Sequence, residues 1–293
     1  MSATFDQTPA AGTLGILAGG GSLPGAVAAA ARAAGREVFI VGLDGYADPA
    51  VLAPYRHAFA RLGAVGRIKT LLEANGARDL VLIGAVRRPS MLHLRPDAEG
   101  VRFLARLGRA AFLGDDGILR AVIRVLGEDG FRVLGVQDVM AGVLMPEGCL
   151  TRAAPDESAR ADIARGQAVA AALGRLDVGQ GCVVQQGLVL AVEAIEGTDA
   201  MLARAGTLAR EGPGGVLVKL RKPGQEARAD LPTIGPATVA AASAAGLRGI
   251  AASAGGALLV ERATTVAAAD RAGVFLVGLP SDMSATAERE DTA

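Results

Sequence analysis

Between Leu14 and Val136, short apolar runs alternate with segments of helical period, and that alternation admits few folds. Leu14 to Ala18 reads as a buried strand, Gly19-Gly20-Gly21 as a tight loop, and Pro24 to Ala34 as a helix. Pro24 suits the first helical turn, where its missing N–H costs nothing. Glu37 to Gly42 is the next strand, Arg56 to Leu62 a third, Val65 to Asn75 a helix closed by Gly76, and Asp79 to Gly84 another apolar strand. Helical period returns at Val101 to Leu107 and Ile118 to Leu126, ahead of a strand at Arg132 to Val136. Strands and helices in turn predict a parallel α/β sheet with helices on both faces.

Beyond Met140 the pattern changes. Gly142 to Cys149 carries Pro146 and glycines, and a polar run from Thr151 to Arg160 follows, which places a domain junction here and divides the chain into residues 1–142 and 143–293. A length of 293 residues gives each half enough chain to bury a core. In the second half, helices are expected at Ala159 to Leu173, Asp199 to Arg210 and Pro236 to Ala245. Strands are expected at Cys182 to Gln186 and Leu188 to Ala194, paired about Gly187, then at Val216 to Leu220 and near Gly249 to Ala251, Ala257 to Val260 and Val274 to Val277. This half is also α/β. The polar tail, Ser281 to Ala293, is expected to fray.

Composition removes several functional classes. The formal net charge is zero, so no global field draws the chain to nucleic acid, and with 3% aromatic residues and no tryptophan it has little material for stacking bases. Cys149 and Cys182 lie far apart without metal-ligand spacing, which argues against zinc and against a disulfide. The amino terminus has no basic segment leading into an apolar one, and no apolar run approaches the roughly 20 residues that span a bilayer. A cytoplasmic location is expected, with any membrane contact peripheral. Oligomeric state is not written in the sequence, although symmetric dimers are the commonest assembly of soluble enzymes.

Five segments carry chemistry. In AGGGSLP, Gly19, Gly20, Gly21 and Ser22 join a strand to a helix, where backbone N–H groups and a helix amino terminus suit a phosphate, or else the glycines only make a tight structural turn. Asp44 follows Gly21 by 23 residues, as in dinucleotide sites, yet Pro24 occupies the position of the third glycine. In GAVRRPS, Arg87 and Arg88 follow a strand at the carboxyl end where open α/β sheets bind ligands, or else are a pair of surface arginines. Asp115 and Asp116 in GDDGILR open a helix and suit either capping or a cation. Glu193, Glu196 and Asp199, with Thr198 among them, place three carboxylates within seven residues. Such a group repels itself unless it is solvated or bridged by a cation, and oxygen-only ligands suit magnesium; in the alternative, Thr198 or Asp199 caps a helix and the glutamates stay exposed. The fifth segment, VLVKLRKPGQEARADLPTIG, runs from a strand into a turn crowded with Lys219, Arg221, Lys222, Arg228, Glu226 and Asp230. It holds two of the chain's three lysines, and the mixture suits a polyanion together with a cation or an attacking water, or else a solvated hairpin end. His57 and His93 stand apart from any serine or cysteine nucleophile, so a hydrolytic triad has no support.

Taken in order, these motifs and AGLRGIAASAGGALLVE resemble the LpxI-type UDP-2,3-diacylglucosamine pyrophosphatase family from about Leu14 to Pro280. The resemblance implies an enzyme of lipid A synthesis in a Gram-negative bacterium. It would cleave the pyrophosphate of UDP-2,3-diacylglucosamine to UMP and 2,3-diacylglucosamine 1-phosphate, with magnesium and with water attack on the β-phosphorus. It further implies a Rossmann-like first domain, a family-specific second domain and substrate held between them. The family's KPxQDxRxD pattern falls on Lys222, Pro223, Gln225, Glu226, Arg228 and Asp230, with Glu226 where the family has aspartate. That departure favours Asp230 as the essential carboxylate. On this reading Asp230, Lys219, Lys222 and Glu226 are catalytic; Asp230, Glu193, Glu196 and Asp199 hold magnesium; and Gly19, Gly20, Gly21, Ser22, Arg87, Arg88, Thr198, Gln225 and Arg228 bind substrate. Two other classes share some of these features. An NAD-dependent oxidoreductase would use the same glycine loop and Asp44, and a non-catalytic sugar-nucleotide sensor would use the acidic groups as caps.

Overall fold

A computed structural model describes residues 12–86, 94–108, 115–222 and 225–280, with the backbone alone at 115 and 116. Arg87, Arg88, His93, Pro223, Gly224 and the tail from Ser281 lie outside the described residues, as do the side chains of Asp115 and Asp116. The chain forms two compact units, the first ending at Ala141 and the second beginning at Gly142.

The first unit is built on β1 (Thr13–Ala18), β2 (Val38–Leu43), β3 (His57–Ala60), β4 (Ala77–Ile83) and β5 (Arg132–Leu134). All are parallel, in the order β3-β2-β1-β4-β5. All six residues of β2 are buried, as expected of an apolar strand covered on both faces. Its helices include α1 (Leu23–Ala33), α2 (Pro49–Leu52), α3 (Val65–Ala74), α4 (Ala98–Leu107) and α5 (Asp115–Glu128). Helix α4 starts three residues before its apolar period does, because Asp97 caps it by accepting from the Gly100 N–H at 2.6 Å. At the start of β4, Asp79 accepts from Arg132 Nε and Nη2, both at 2.7 Å, and from Arg36, which ties the sheet edge to the segment before β2.

The second unit carries β6 (Gly148–Cys149), β7 (Gly181–Gln185), β8 (Leu188–Val192), β9 (Val216–Lys219), β11 (Gly249–Ser253) and β13 (Phe275–Leu279) in one mixed sheet, ordered β6-β13-β11-β9-β7-β8. The short strands β10 (Thr233–Ile234) and β12 (Leu258–Leu259) pair separately. Neither β6 nor β10 is visible as an apolar run, since each has two residues, β6 pairing with the end of β13 and β10 with the equally short β12. Helices α6 (Glu157–Arg175), α7 (Gly197–Thr207), α8 (Pro236–Ala244) and α9 (Arg262–Ala272) fill two cores. Strand period sorts β9 between them: Val216 and Val218 join the core that includes Ala159, Ile163 and Ala170 of α6, while Leu217 joins the one that includes Met201 and Leu202 of α7. Burying a side chain of that size contributes about 1.5–3 kcal/mol.

Candidate active site

Three strands of the second unit, β9, β11 and β13, run parallel, and β7 opposes β9, so the end of β9 meets the start of β7. Lys219, Glu193 and Thr198 meet at this end of β9. Lys219, the last residue of β9, has the parity of Leu217 and so faces the α7 side, where it is only 4% exposed. Glu193 follows β8 with the parity of Ala191, on the same face, and is 6% exposed. Between them lies Gly181, which pairs with Lys219 in the ladder and accepts the Glu193 backbone N–H at 2.9 Å. A Cβ at Gly181 would stand 2.9 Å from Glu193 Oε2 and 3.4 Å from Lys219 Cγ. The glycine therefore leaves the gap in which the two flanking side chains meet.

Thr198 completes this group from the first turn of α7. Lys219 Nζ donates to Thr198 Oγ1 at 2.7 Å, Thr198 Oγ1 donates to Glu193 Oε1 at 2.5 Å, and Nζ stands 3.9 Å from Oε1. Glu193 Oε2 is buried and has no hydrogen-bond partner. Leaving a buried acceptor unpaired costs about 1–3 kcal/mol, more when it is charged, so the group is a poor device for stability alone.

Past β9 the chain folds back on Gln225. The Leu220 N–H donates to the Gln180 carbonyl at 2.8 Å, and the Arg221 N–H to Ser253 Oγ at 3.2 Å. Gln225 is buried with its amide satisfied: Oε1 accepts the Lys222 N–H at 2.9 Å, while Nε2 donates to Gln180 Oε1 at 3.1 Å and to Asp230 Oδ2 at 2.7 Å. Lys222 Nζ pairs with Asp177 Oδ1 at 2.7 Å. Glu226 is held by Arg228, whose Nε and Nη2 donate to its two carboxylate oxygens at 2.8 and 2.7 Å. Asp230 is thus oriented by a fixed amide, whereas Glu226 is matched by a guanidinium fork.

The carboxylates read together in the sequence are placed apart. Glu196 precedes α7 and turns to Arg204 Nη2 at 2.7 Å; hydrogen bonding from its own backbone and from Arg204 holds its carboxyl below the usual range. Asp199 is exposed in the first turn of α7, where a negative charge suits the helix amino terminus. Neither Thr198 nor Asp199 is the N-cap, because the helix begins at Gly197, before both. Among the described residues no three acidic, histidine or cysteine side chains form a group able to hold a metal ion.

In the first unit, Gly19 and Gly20 spend their N–H groups on the carbonyls of Ile83 and Ala85. A Cβ at Gly19 would lie 2.6 Å from the Gly84 carbonyl oxygen, so part of the glycine signal reflects close approach of two backbones. Gly21 and Ser22 remain exposed ahead of α1. Asp177, Gln180 and Ser253 escaped sequence reasoning. They lie in loops before β7 and at the end of β11, and no spacing links them to the lysine-rich turn.

Family models cover most of the chain. Residues 13–143 match the LpxI N-terminal domain, and residues 146–277 match the LpxI C-terminal domain. The chain belongs to the LpxI family. Among LpxI relatives, UDP-2,3-diacylglucosamine pyrophosphatase LpxI of Caulobacter vibrioides is 44% identical over 272 residues, which cover 91% of this chain and 97% of the relative. The lysine-rich turn, Glu193 and Thr198 all lie within the segment matched by the LpxI C-terminal domain.

Proposed function

We propose that this LpxI chain hydrolyses the pyrophosphate bond of UDP-2,3-diacylglucosamine, releasing UMP and 2,3-diacylglucosamine 1-phosphate, a step of lipid A biosynthesis. The observation that carries the reading is 44% identity, over 91% of the chain, to a relative named for that activity. The edge at the end of β9 supports it, since Lys219, Arg221 and Lys222 follow one another closely beside an oriented carboxylate, Asp230.

The chemistry divides among these residues. Lys219 and Lys222 hold phosphate oxygens, Lys222 by exchanging its partner Asp177 for the substrate. Asp230, fixed by Gln225, accepts a hydrogen bond from the attacking water and orients it. Water oxygen bonds to the β-phosphorus, the bridging P–O bond breaks, the bridging oxygen leaves with UMP, and the water protons pass to phosphate oxygen and solvent. Alignment of this kind lowers the barrier chiefly by positioning and by electrostatics.

Magnesium fits such a site in a restricted form. It keeps several waters and commonly takes one or two carboxylates together with substrate phosphates. Asp230 suits it, with Oδ2 alone engaged by Gln225. Glu193 and Glu196 suit it less, being turned to Thr198 and Arg204. When bound, the ion would neutralise phosphate charge and acidify a coordinated water.

The reading extends to lipid. Ile195 is 100% exposed and Leu176 is 74% exposed, and they flank the residues just described: Ile195 follows Glu193, and Leu176 precedes Asp177. Exposed apolar side chains beside phosphate-binding lysines suit a diacylated sugar nucleotide, or the bilayer surface that carries it. No helix among the described residues is long and apolar enough to cross a membrane.

The experiment that tests the reading is phosphorus NMR of the products formed from UDP-2,3-diacylglucosamine in ¹⁸O-labelled water with added magnesium. Label in 2,3-diacylglucosamine 1-phosphate supports attack at the β-phosphorus. Label in UMP moves the attack to the α-phosphorus, and absence of cleavage rejects the reading.

A further inference from the structure

We infer that Glu193 and Thr198 are positioning residues for Lys219, holding its ammonium group at the sheet edge so that its remaining N–H donors serve an oxygen of an anionic diphosphate. This inference rests on the pyrophosphatase reading above and deepens it.

The hydrogen bonds have a direction. An ammonium group only donates, a carboxylate only accepts, and a hydroxyl has one hydrogen to give. Lys219 Nζ therefore donates to Thr198 Oγ1, which passes its single hydrogen to Glu193 Oε1. Nζ has three hydrogens, and its partners in the structure are this hydroxyl and, at 3.9 Å, the Glu193 carboxylate. Donors are thus left over on a buried cation at the end of β9, in a chain segment that continues into Arg221 and Lys222.

Stability does not explain the arrangement. A simple ion pair would close to hydrogen-bond distance, yet Glu193 stands back, with Thr198 interposed and Oε2 buried without a partner. The local backbone is shaped around it. Gly181 leaves the space above which the two side chains meet, and a Cβ at Gly179 would fall 2.0 Å from the Glu193 carbonyl oxygen. A divalent ion on Glu193 would be forced close to the Lys219 ammonium, a repulsive placement, so Glu193 acts through the lysine.

The test compares Thr198→Val, Thr198→Ser and Glu193→Gln with the wild-type protein. Rates of UMP release from UDP-2,3-diacylglucosamine are measured across magnesium concentrations, alongside ¹⁵N NMR of the ammonium groups. The chain has three lysines, Lys69, Lys219 and Lys222, so assignment is direct. Thr198→Val should lower kcat about 10²-fold, comparable to loss of an oriented charge-stabilising donor, with a smaller change in KM. Thr198→Ser should restore most of kcat, and Glu193→Gln should lower kcat without raising the magnesium concentration needed for half-maximal rate. The Lys219 ammonium signal, protected from exchange in the wild type, should be lost in Thr198→Val while that of Lys69 persists. Wild-type kcat in Thr198→Val overturns the inference, as does a Glu193→Gln protein that recovers full kcat at high magnesium, which would make Glu193 a metal ligand. The NMR arm needs no turnover. If the wild type releases no UMP, the functional reading fails, whereas a Lys219 signal indifferent to Thr198→Val overturns the positioning role by itself.

Discussion

Glu193 and Lys219 lie on either side of β7, yet their charged groups approach to 3.9 Å because the residue between them is Gly181. Neighbouring strands are about 4.8 Å apart, so two side chains separated by a whole strand meet only where the middle strand has nothing on that face.

Gly181→Ala is accordingly expected to lower kcat by about 10²-fold, since a displacement near 1 Å can cost that much in a positioned site. The added methyl would press first on Glu193 Oε2 at 2.9 Å, a side-chain atom, and would stand 3.3 Å from the Val218 carbonyl oxygen and 3.4 Å from Lys219 Cγ, so a shift of a few tenths of an ångström should accommodate it in a folded variant. A steady-state assay with a circular dichroism melt checks both parts. Unchanged turnover would show that the gap is incidental.

Asp230→Ala should abolish measurable turnover while leaving the unfolding midpoint within about 2 °C of wild type, because a partly exposed turn residue contributes little to the core. Chelator should inhibit the wild-type protein, and magnesium should restore it. Turnover at the wild-type rate in Asp230→Ala would move the essential acid elsewhere.

Replacing Ile195 and Leu176 together by Asp should raise KM for the diacylated substrate severalfold and weaken sedimentation with anionic phospholipid vesicles. Turnover of a water-soluble, deacylated analogue should be unaffected. Equal loss on both substrates would tie these side chains to folding instead.

Acid sensitivity has an identifiable contributor in the first unit. Burial by itself would raise the Asp79 carboxyl, but hydrogen bonds from Arg132 and Arg36 outweigh it and hold the group below the usual carboxylate range. Its contribution to stability is therefore complete above the unfolded pKa of about 3.9 and is lost as pH falls through the lower folded value. Asp79→Asn should cost about 2 kcal/mol at pH 7 and progressively less as the medium is acidified below pH 4. Urea midpoints at several pH values measure this, and an equal cost at every pH would assign the loss to packing.

The two cysteines should differ sharply. Burial pushes the Cys182 thiol up to about 12, and its Sγ donates to the Gly166 carbonyl, whereas Cys149 is exposed. A thiol-specific reagent at pH 8 should modify one cysteine in the native protein and two in denaturant. Labelling of Cys182 in the folded chain would show that the second unit opens around β7.

Local pattern carried most of the element assignments. The run VLVK declared β9 through its apolar residues and the proline-glycine pair that follows in the sequence, and AGGGSLP declared a strand, a loop and a helix. Motif order likewise pointed to the LpxI family, which the domain matches show. Glu193, Glu196 and Asp199 are close in sequence, but closeness at a strand-to-helix junction says nothing about which way each side chain turns. Glu193 keeps the strand's parity and faces inward, Glu196 lies beyond it and reaches Arg204, and Asp199 rides on the helix.

By itself, then, the sequence determined the α/β class of both halves, the family and the concentration of cations after β9, because these depend on periodicity and on residue types close together along the chain. Only the tertiary structure decided that Asp177, Gln180 and Ser253 would stand beside those cations, that Gln225 would orient Asp230, and that Gly181 would let Glu193 meet Lys219. Those relations join residues up to tens of positions apart through strand order and register, which arise from how whole elements bury their apolar faces and leave no signature in any short stretch of chain.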